Sequence, residues 1–217
     1  MKTKHVWFLL TLLCAVGLAS QASGAGLGGS YLAIKGGVYS PSASFNLENV
    51  DLATTFDGDT ETGFSGEIAF GHYFLPTVAL ELGLGYFKGK GSLTPPGGGA
   101  LRDASFDVIP LIASAKVLVP IGPVYPYGEA GLGAYFTTFE VTDNANSFSG
   151  TTTLGMHAGA GMNVTLSPRM FLGLEGRYVW ANPSFGGETI RLNDTEYALN
   201  GFKLNGFTTM LGVGFNF

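Results

Sequence analysis

The side chains of this chain with the capacity for chemistry are few. The main set is Lys35, Glu67, Glu81, Lys116, Glu129, His157, Glu175 and Arg177, each flanked by small or apolar residues. Carboxylates beside imidazole and amine groups can exchange protons, ligate metal ions or pair as ions. Nucleophilic catalysis asks for more: a hydroxyl or thiol with an adjacent base and an orienting carboxylate, open to substrate. No such cluster is visible. His5 lies near the amino terminus, His72 stands beside the turn-like Leu75-Pro76-Thr77, and His157 is alone in an alternating segment. A lone histidine in that setting reads as a hydrogen-bonding partner. Gly128-Glu129-Ala130-Gly131-Leu132-Gly133 has the glycines of a phosphate loop, but it lies inside a strand-like segment with no helix to follow. Asp57-Gly58-Asp59-Thr60-Glu61 spaces oxygens as a calcium loop does, yet lacks the downstream ligands. The sequence therefore predicts no enzyme, no metal and no cofactor, and leaves ion pairing as the chemistry to be positioned.

The elements that must position these charges are clearest at the carboxyl end. In the stretch 206–217, Phe207, Thr209, Leu211, Val213, Phe215 and Phe217 fall on one face of a strand, and Thr208, Met210, Gly212, Gly214 and Asn216 on the other. An aromatic face of this kind on an open edge invites aggregation, so it needs a partner strand, a second sheet or lipid to cover it.

The amino end indicates compartment. Lys2 and Lys4, the apolar run from Val6 to Leu18, and the small residues from Ala19 to Ala25 have the layout of a secretory signal peptide over residues 1–25, with cleavage after Ala22 or Ala25. The run is shorter than the roughly 20 residues that span a bilayer as a helix. Cys14 leaves with this segment, so the mature chain is expected to have neither disulfides nor thiol chemistry. The formal charge of -5 falls to -7 once Lys2 and Lys4 are removed, an acidic balance that argues against nucleic-acid partners.

Composition narrows the class further. The chain is 46% hydrophobic and 12% charged, yet no apolar run after Leu18 is long enough for a membrane helix. Glycine, with 34 residues, recurs inside segments that alternate like strands. Seven such segments precede the terminal one: 30–40, 62–74, 78–87, 109–119, 124–138, 153–164 and 170–180. Val78, Leu80, Leu82, Leu84 and Tyr86 against Ala79, Glu81, Gly83, Gly85 and Phe87 is the most regular. Three connections are short, at 75–77, 120–123 and 167–169, and four are long and polar. Strands of about 10 to 14 residues exceed the globular mode of about 5 to 6.

Short turns alternating with long loops predict an all-β fold, an eight-stranded antiparallel up-and-down transmembrane β-barrel over residues 26–217. An even strand count puts both termini on the periplasmic side. Phe74, Tyr86, Phe136, Tyr178, Trp180 and Phe217 sit near strand ends on the apolar phase, where interfacial girdles belong. A soluble barrel would need a charged outer phase; here the second phase is mostly Gly, Ala, Ser and Thr.

Tyr31-Leu32-Ala33-Ile34-Lys35-Gly36-Gly37, Val78-Ala79-Leu80-Glu81-Leu82-Gly83, Tyr125-Pro126-Tyr127-Gly128-Glu129-Ala130-Gly131-Leu132-Gly133 and the terminal Phe217 resemble the small eight-stranded outer-membrane barrels of Gram-negative bacteria. Porin-like proteins and the transmembrane domain of OmpA belong to that family. The resemblance covers the whole mature chain and implies a bacterial outer-membrane location. It also implies contact with membrane lipid and lipopolysaccharide, and recognition of Leu211, Val213, Phe215 and Phe217 by the barrel-assembly machinery. Unlike OmpA, no peptidoglycan-binding domain is expected after the last strand. Such barrels host adhesins, channels, lipid enzymes and structural proteins, so fold alone does not select a function.

On the alternation, the main set of charges faces the lumen and forms a charge network. A narrow barrel leaves room for little else, so the network is expected to fill and specify the interior. Function then lies with the long loops: a structural or surface-interaction protein, monomeric, with an extracellular ligand at the loops. The alternative is a narrow porin-like channel for small solutes or ions, in which ion pairs exchange partners and open a water path.

Overall fold

The computed structural model of the protein describes residues 29–42, 45–49, 55–93, 102–141, 147–149, 152–181, 189–192, 195–198 and 204–217. Residues 1–25 lie outside the described residues. In chain order the strands are β1 (Gly29–Pro41), β2 (Phe45–Asn49), β3 (Thr55–Glu61), β4 (Gly63–Leu75), β5 (Val78–Leu93), β6 (Arg102–Leu118), β7 (Val124–Val141), β8 (Ser147–Ser149), β9 (Thr153–Ser167), β10 (Met170–Ala181), β11 (Thr189–Leu192), β12 (Thr195–Ala198) and β13 (Gly206–Asn216).

Eight of these close a barrel. β1 pairs antiparallel with β4, and β5, β6, β7, β9, β10 and β13 follow in turn. The seal is β13 against β1, from Tyr31 opposite Asn216 to Pro41 opposite Gly206. Closure leaves the barrel itself no open edge, which is what a strand needs to cross lipid. Short connections join β4 to β5, β6 to β7 and β9 to β10. In the second, Ile121 bridges Val124 and Gly122 takes a φ of 61°, a left-handed turn conformation that favours glycine.

The two faces of the wall are inverted relative to a soluble protein. Leu82, Val117, Leu132, Leu154, Trp180 and Leu211 are exposed on the outside, while the opposite phase is buried. Phe74 and Phe217 are exposed at strand ends, Tyr86 and Phe136 are exposed within the extended β5 and β7 rather than at their ends, and Tyr178 packs against Trp180 with ring centroids 4.7 Å apart. Leu211, Val213, Phe215 and Phe217 all lie on this outer face.

Two expectations need correction. The segments after Pro41 and Ala181 are not simply loops. β2 pairs with β3, β3 with the upper end of β5, and the β11–β12 hairpin joins β2 through Tyr197 opposite Asn49 and Ala198 opposite Glu48. β5, β6 and β7 also run past the predicted limits, and β8 adds to β7. Backbone pairing, which any residue but proline can supply, builds this crown from strands of only three to seven residues. The second correction concerns the lumen, which small residues do not dominate at its ends. Tyr31, Tyr73, Tyr127, Phe171 and Leu118 close the end with short turns, and Tyr39, Phe87, Tyr135 and Val108 fill the other.

Register explains how rings fit inside so narrow a wall. Tyr31 lies directly opposite Gly71, Tyr127 opposite Gly161 and Phe171 opposite Gly214. In each pair a Cβ on the glycine would meet the partner's ring. Glycine here is a seat for an aromatic side chain, which also returns apolar contact to a strand position that glycine would weaken.

Candidate functional site in the barrel lumen

Between the two aromatic layers the wall turns all its formal charge inward. Pairing between neighbouring strands sets the first contacts: Lys35 on β1 is opposite Glu67 on β4, and Lys116 on β6 is opposite Glu129 on β7. Opposite charges at facing positions are the arrangement a sheet favours. Glu175 and Arg177 share one face of β10, two residues apart, and Glu81 enters from β5. His157 enters from β9.

The structure brings these residues together across the lumen. Lys35 Nζ donates to Glu67 Oε1 at 2.8 Å, Glu81 Oε1 at 2.7 Å and Glu175 Oε2 at 3.0 Å. Arg177 donates from Nη1 to Glu67 Oε2 at 2.7 Å, from Nε to Glu129 Oε1 at 2.8 Å and from Nη2 to Glu175 Oε1 at 2.6 Å. Lys116 Nζ lies 2.9 Å from Glu81 Oε1, 3.0 Å from Glu175 Oε2 and 3.3 Å from Glu129 Oε2. The last is an ion pair without hydrogen-bond alignment, because Glu129 Oε2 is otherwise buried and unpartnered. Tyr31 and Tyr127 complete the set from below, their hydroxyls donating to Glu81 Oε2 at 2.7 Å and Glu175 Oε2 at 2.8 Å. Lys116 Nζ also sits 4.6 Å from the centre of the Tyr127 ring, within cation–π range.

Each ion therefore has several partners, which is what a buried charge requires to offset its desolvation. Four carboxylates meet three cations, one negative charge in excess with His157 neutral. Carboxylate oxygens of Glu81, Glu129 and Glu175 lie within 4.8 Å of one another, a spacing that a metal ion could bridge. The Lys116 ammonium stands among all three and supplies the positive charge there. His157 is off to one side: its Nε2 is 2.8 Å from Ser114 Oγ, across Gly131, and Nδ1 is buried without a partner. Ser114 and His157 are both buried, and no carboxylate hydrogen-bonds the imidazole among the described residues. That arrangement ties strands together and lacks the access a nucleophile needs.

The layers leave little space. One void of about 20 Å³ lies among Tyr31, Lys35, Lys116, Tyr127 and Phe171, and a second of about 20 Å³ among Glu67, Phe87, Tyr135 and Arg177. Each has room for about one water. Sequence reasoning found the charges but missed the rings that seal them in. The signal was present in the alternation, where Tyr31, Tyr127 and Phe171 share the inward phase with the charges.

Solved barrels share this architecture. OprG from Pseudomonas aeruginosa superposes with a TM-score of 0.62 at 17% identity, over 88% of this chain and 96% of its own. The outer membrane protein AlkL, solved in lipid bilayers, gives 0.55 at 18% identity over 91% and 94% of the two chains. Neisserial surface protein A gives 0.53 at 17% over 87% and 97%. At such identities the likeness is one of fold. No curated protein sequence matches the chain. Family membership rests on the sequence itself: the model of the outer membrane protein beta-barrel domain matches residues 8–217, and the chain belongs to that family of outer-membrane barrels.

Proposed function

We propose that this protein is a plugged, non-enzymatic outer-membrane scaffold whose work is done by its crown, as a structural or surface-interaction protein. The observation that carries this reading is the lumen, where an aromatic layer, an ion network and a second apolar layer succeed one another, with voids of about 20 Å³ between them among the described residues. A static water path would need those layers to part. In this reading the termini and short turns face the periplasm, the crown faces outward among lipopolysaccharide, and the chain is a monomer. The outer face of β13 (Leu211, Val213, Phe215 and Phe217) is offered to the assembly machinery during insertion.

The test is planar-bilayer conductance of refolded protein that shows a heat-modifiable gel shift. The expected result is a folded barrel with no discrete conductance steps. Reproducible steps whose size changes in Glu81→Gln would overturn the reading in favour of a narrow channel, gated by partner exchange among Lys35, Lys116 and Arg177. A second expected outcome concerns the crown. Replacing residues 184–202 by a short Gly-Ser linker, which removes β11 and β12, abolishes surface binding while the gel shift persists.

A further inference from the structure

The outer wall is not evenly filled. A concavity of about 630 Å³ crosses it from β4 to β7, floored by Ala113 and Ala115 on β6 and Ala130 on β7. Phe74, Leu82 and Leu132 stand as its banks, all exposed on the lipid side. One end is polar: Ser30 Oγ and His72 Nδ1 are 3.0 Å apart, and the His72 ring stands edge-on to Phe74 at 4.9 Å.

Register shows the trough's course. Ser30 is opposite His72, His72 opposite Leu80, Leu80 opposite Ala115, and Ala115 opposite Ala130. This row begins at the second residue of β1, on the short-turn rim, and reaches the seventh residue of β7. Because strands tilt by roughly 35–45° in such barrels, a row across them climbs the wall. The trough thus runs obliquely from a polar rim toward mid-membrane, the course of a lipid tail below its headgroup.

We infer that this trough is a binding site for a glycerophospholipid, one acyl chain lying over Ala113, Ala115 and Ala130 and the phosphate meeting His72. In hydrocarbon there is no hydrophobic gain in covering an apolar wall, so residence depends on packing. An unfilled trough forfeits dispersion contacts along its whole floor. A flexible chain fills it, whereas the convex wall of a second barrel is too broad to enter a recess one side chain deep. With Nδ1 engaged by Ser30, Nε2 is the ring nitrogen left for a phosphate oxygen. The choice of phospholipid over lipid A rests on the proposed orientation, with the short-turn rim in the periplasmic leaflet.

The experiment is native mass spectrometry of the intact folded barrel, released from vesicles of phosphatidylethanolamine, phosphatidylglycerol and diacylglycerol with added lipid A. One retained phospholipid per chain is expected. Ala115→Phe and Ala130→Phe, which fill the floor, should each lower retention about tenfold, and His72→Leu should lower the preference for phosphatidylglycerol over diacylglycerol about as much. Leu174→Phe, on the outer face of β10 away from the trough, should leave retention unchanged, and every variant is first checked for the gel shift. Equal retention by all variants, or equal loss in Leu174→Phe, overturns the site. Retention of lipid A instead overturns the leaflet assignment, and a dimer that Ala115→Phe dissolves overturns the choice of occupant. Conductance is not read here, so failure of this site is separable from failure of the plugged-scaffold reading.

Discussion

Arg177→Met is expected to destabilise the folded barrel by about 3–5 kcal/mol, the range for breaking a buried ion pair by removing one partner. The reason is the number of charges left behind. Arg177 bonds Glu67, Glu129 and Glu175, each buried, and without it two lysines face four carboxylates. The measurement is the urea midpoint of barrels refolded in lipid vesicles, followed by the fluorescence of Trp180. Glu129→Gln in the same chain returns the excess to a single negative charge, so the double variant should regain about 1–2 kcal/mol, a coupling of the size seen within one network. A midpoint unmoved by Arg177→Met, or a double variant no better than the single, would mean that the network is solvated and exchangeable. That result would also strengthen the channel alternative.

The second large effect lies one layer away. Phe171→Ala is expected to cost about 3–5 kcal/mol, since it empties a packed site. The ring is 6% exposed, meets Tyr31 edge-on at 5.5 Å and lies over Gly214. Approached from the other side, Gly214→Ala should cost about 1–3 kcal/mol by overpacking the same contact. The two losses should not add, because the alanine methyl occupies space that the ring vacates. Strict additivity in urea unfolding would show that ring and glycine are independent and that the seat is incidental.

The alternation carried much of this fold in plain view. Period-two runs separated by turns of three or four residues identify the eight long strands and their inward faces, and an inward face is enough to bring the eight charged or imidazole groups into one lumen. Lys35 opposite Glu67 and Lys116 opposite Glu129 follow from antiparallel neighbours. The contact of Lys35 with Glu175 does not, because it spans the lumen and depends on barrel diameter and stagger, which no local pattern encodes. The crown was illegible for a different reason. β2, β3, β11 and β12 are only four to seven residues long, so runs such as Phe45-Asn46-Leu47 or Thr189-Ile190-Arg191 are too brief to declare a strand, and backbone pairing is what joins them.

The crown also joins the two ends of the chain's history. Tyr197 and Ala198 pair with Asn49 and Glu48, partners separated by most of the sequence. Before β13 meets β1, holding them together would close one very long loop for two pairs of residues, a cost in chain entropy that so few contacts do not repay. Once Phe207 lies beside Ser40, the same partners are near neighbours and the cost has already been met by the seam. The junction of β12 with β2 is thus conditional on the seam: the two halves of the crown become one surface only on barrels that have finished closing.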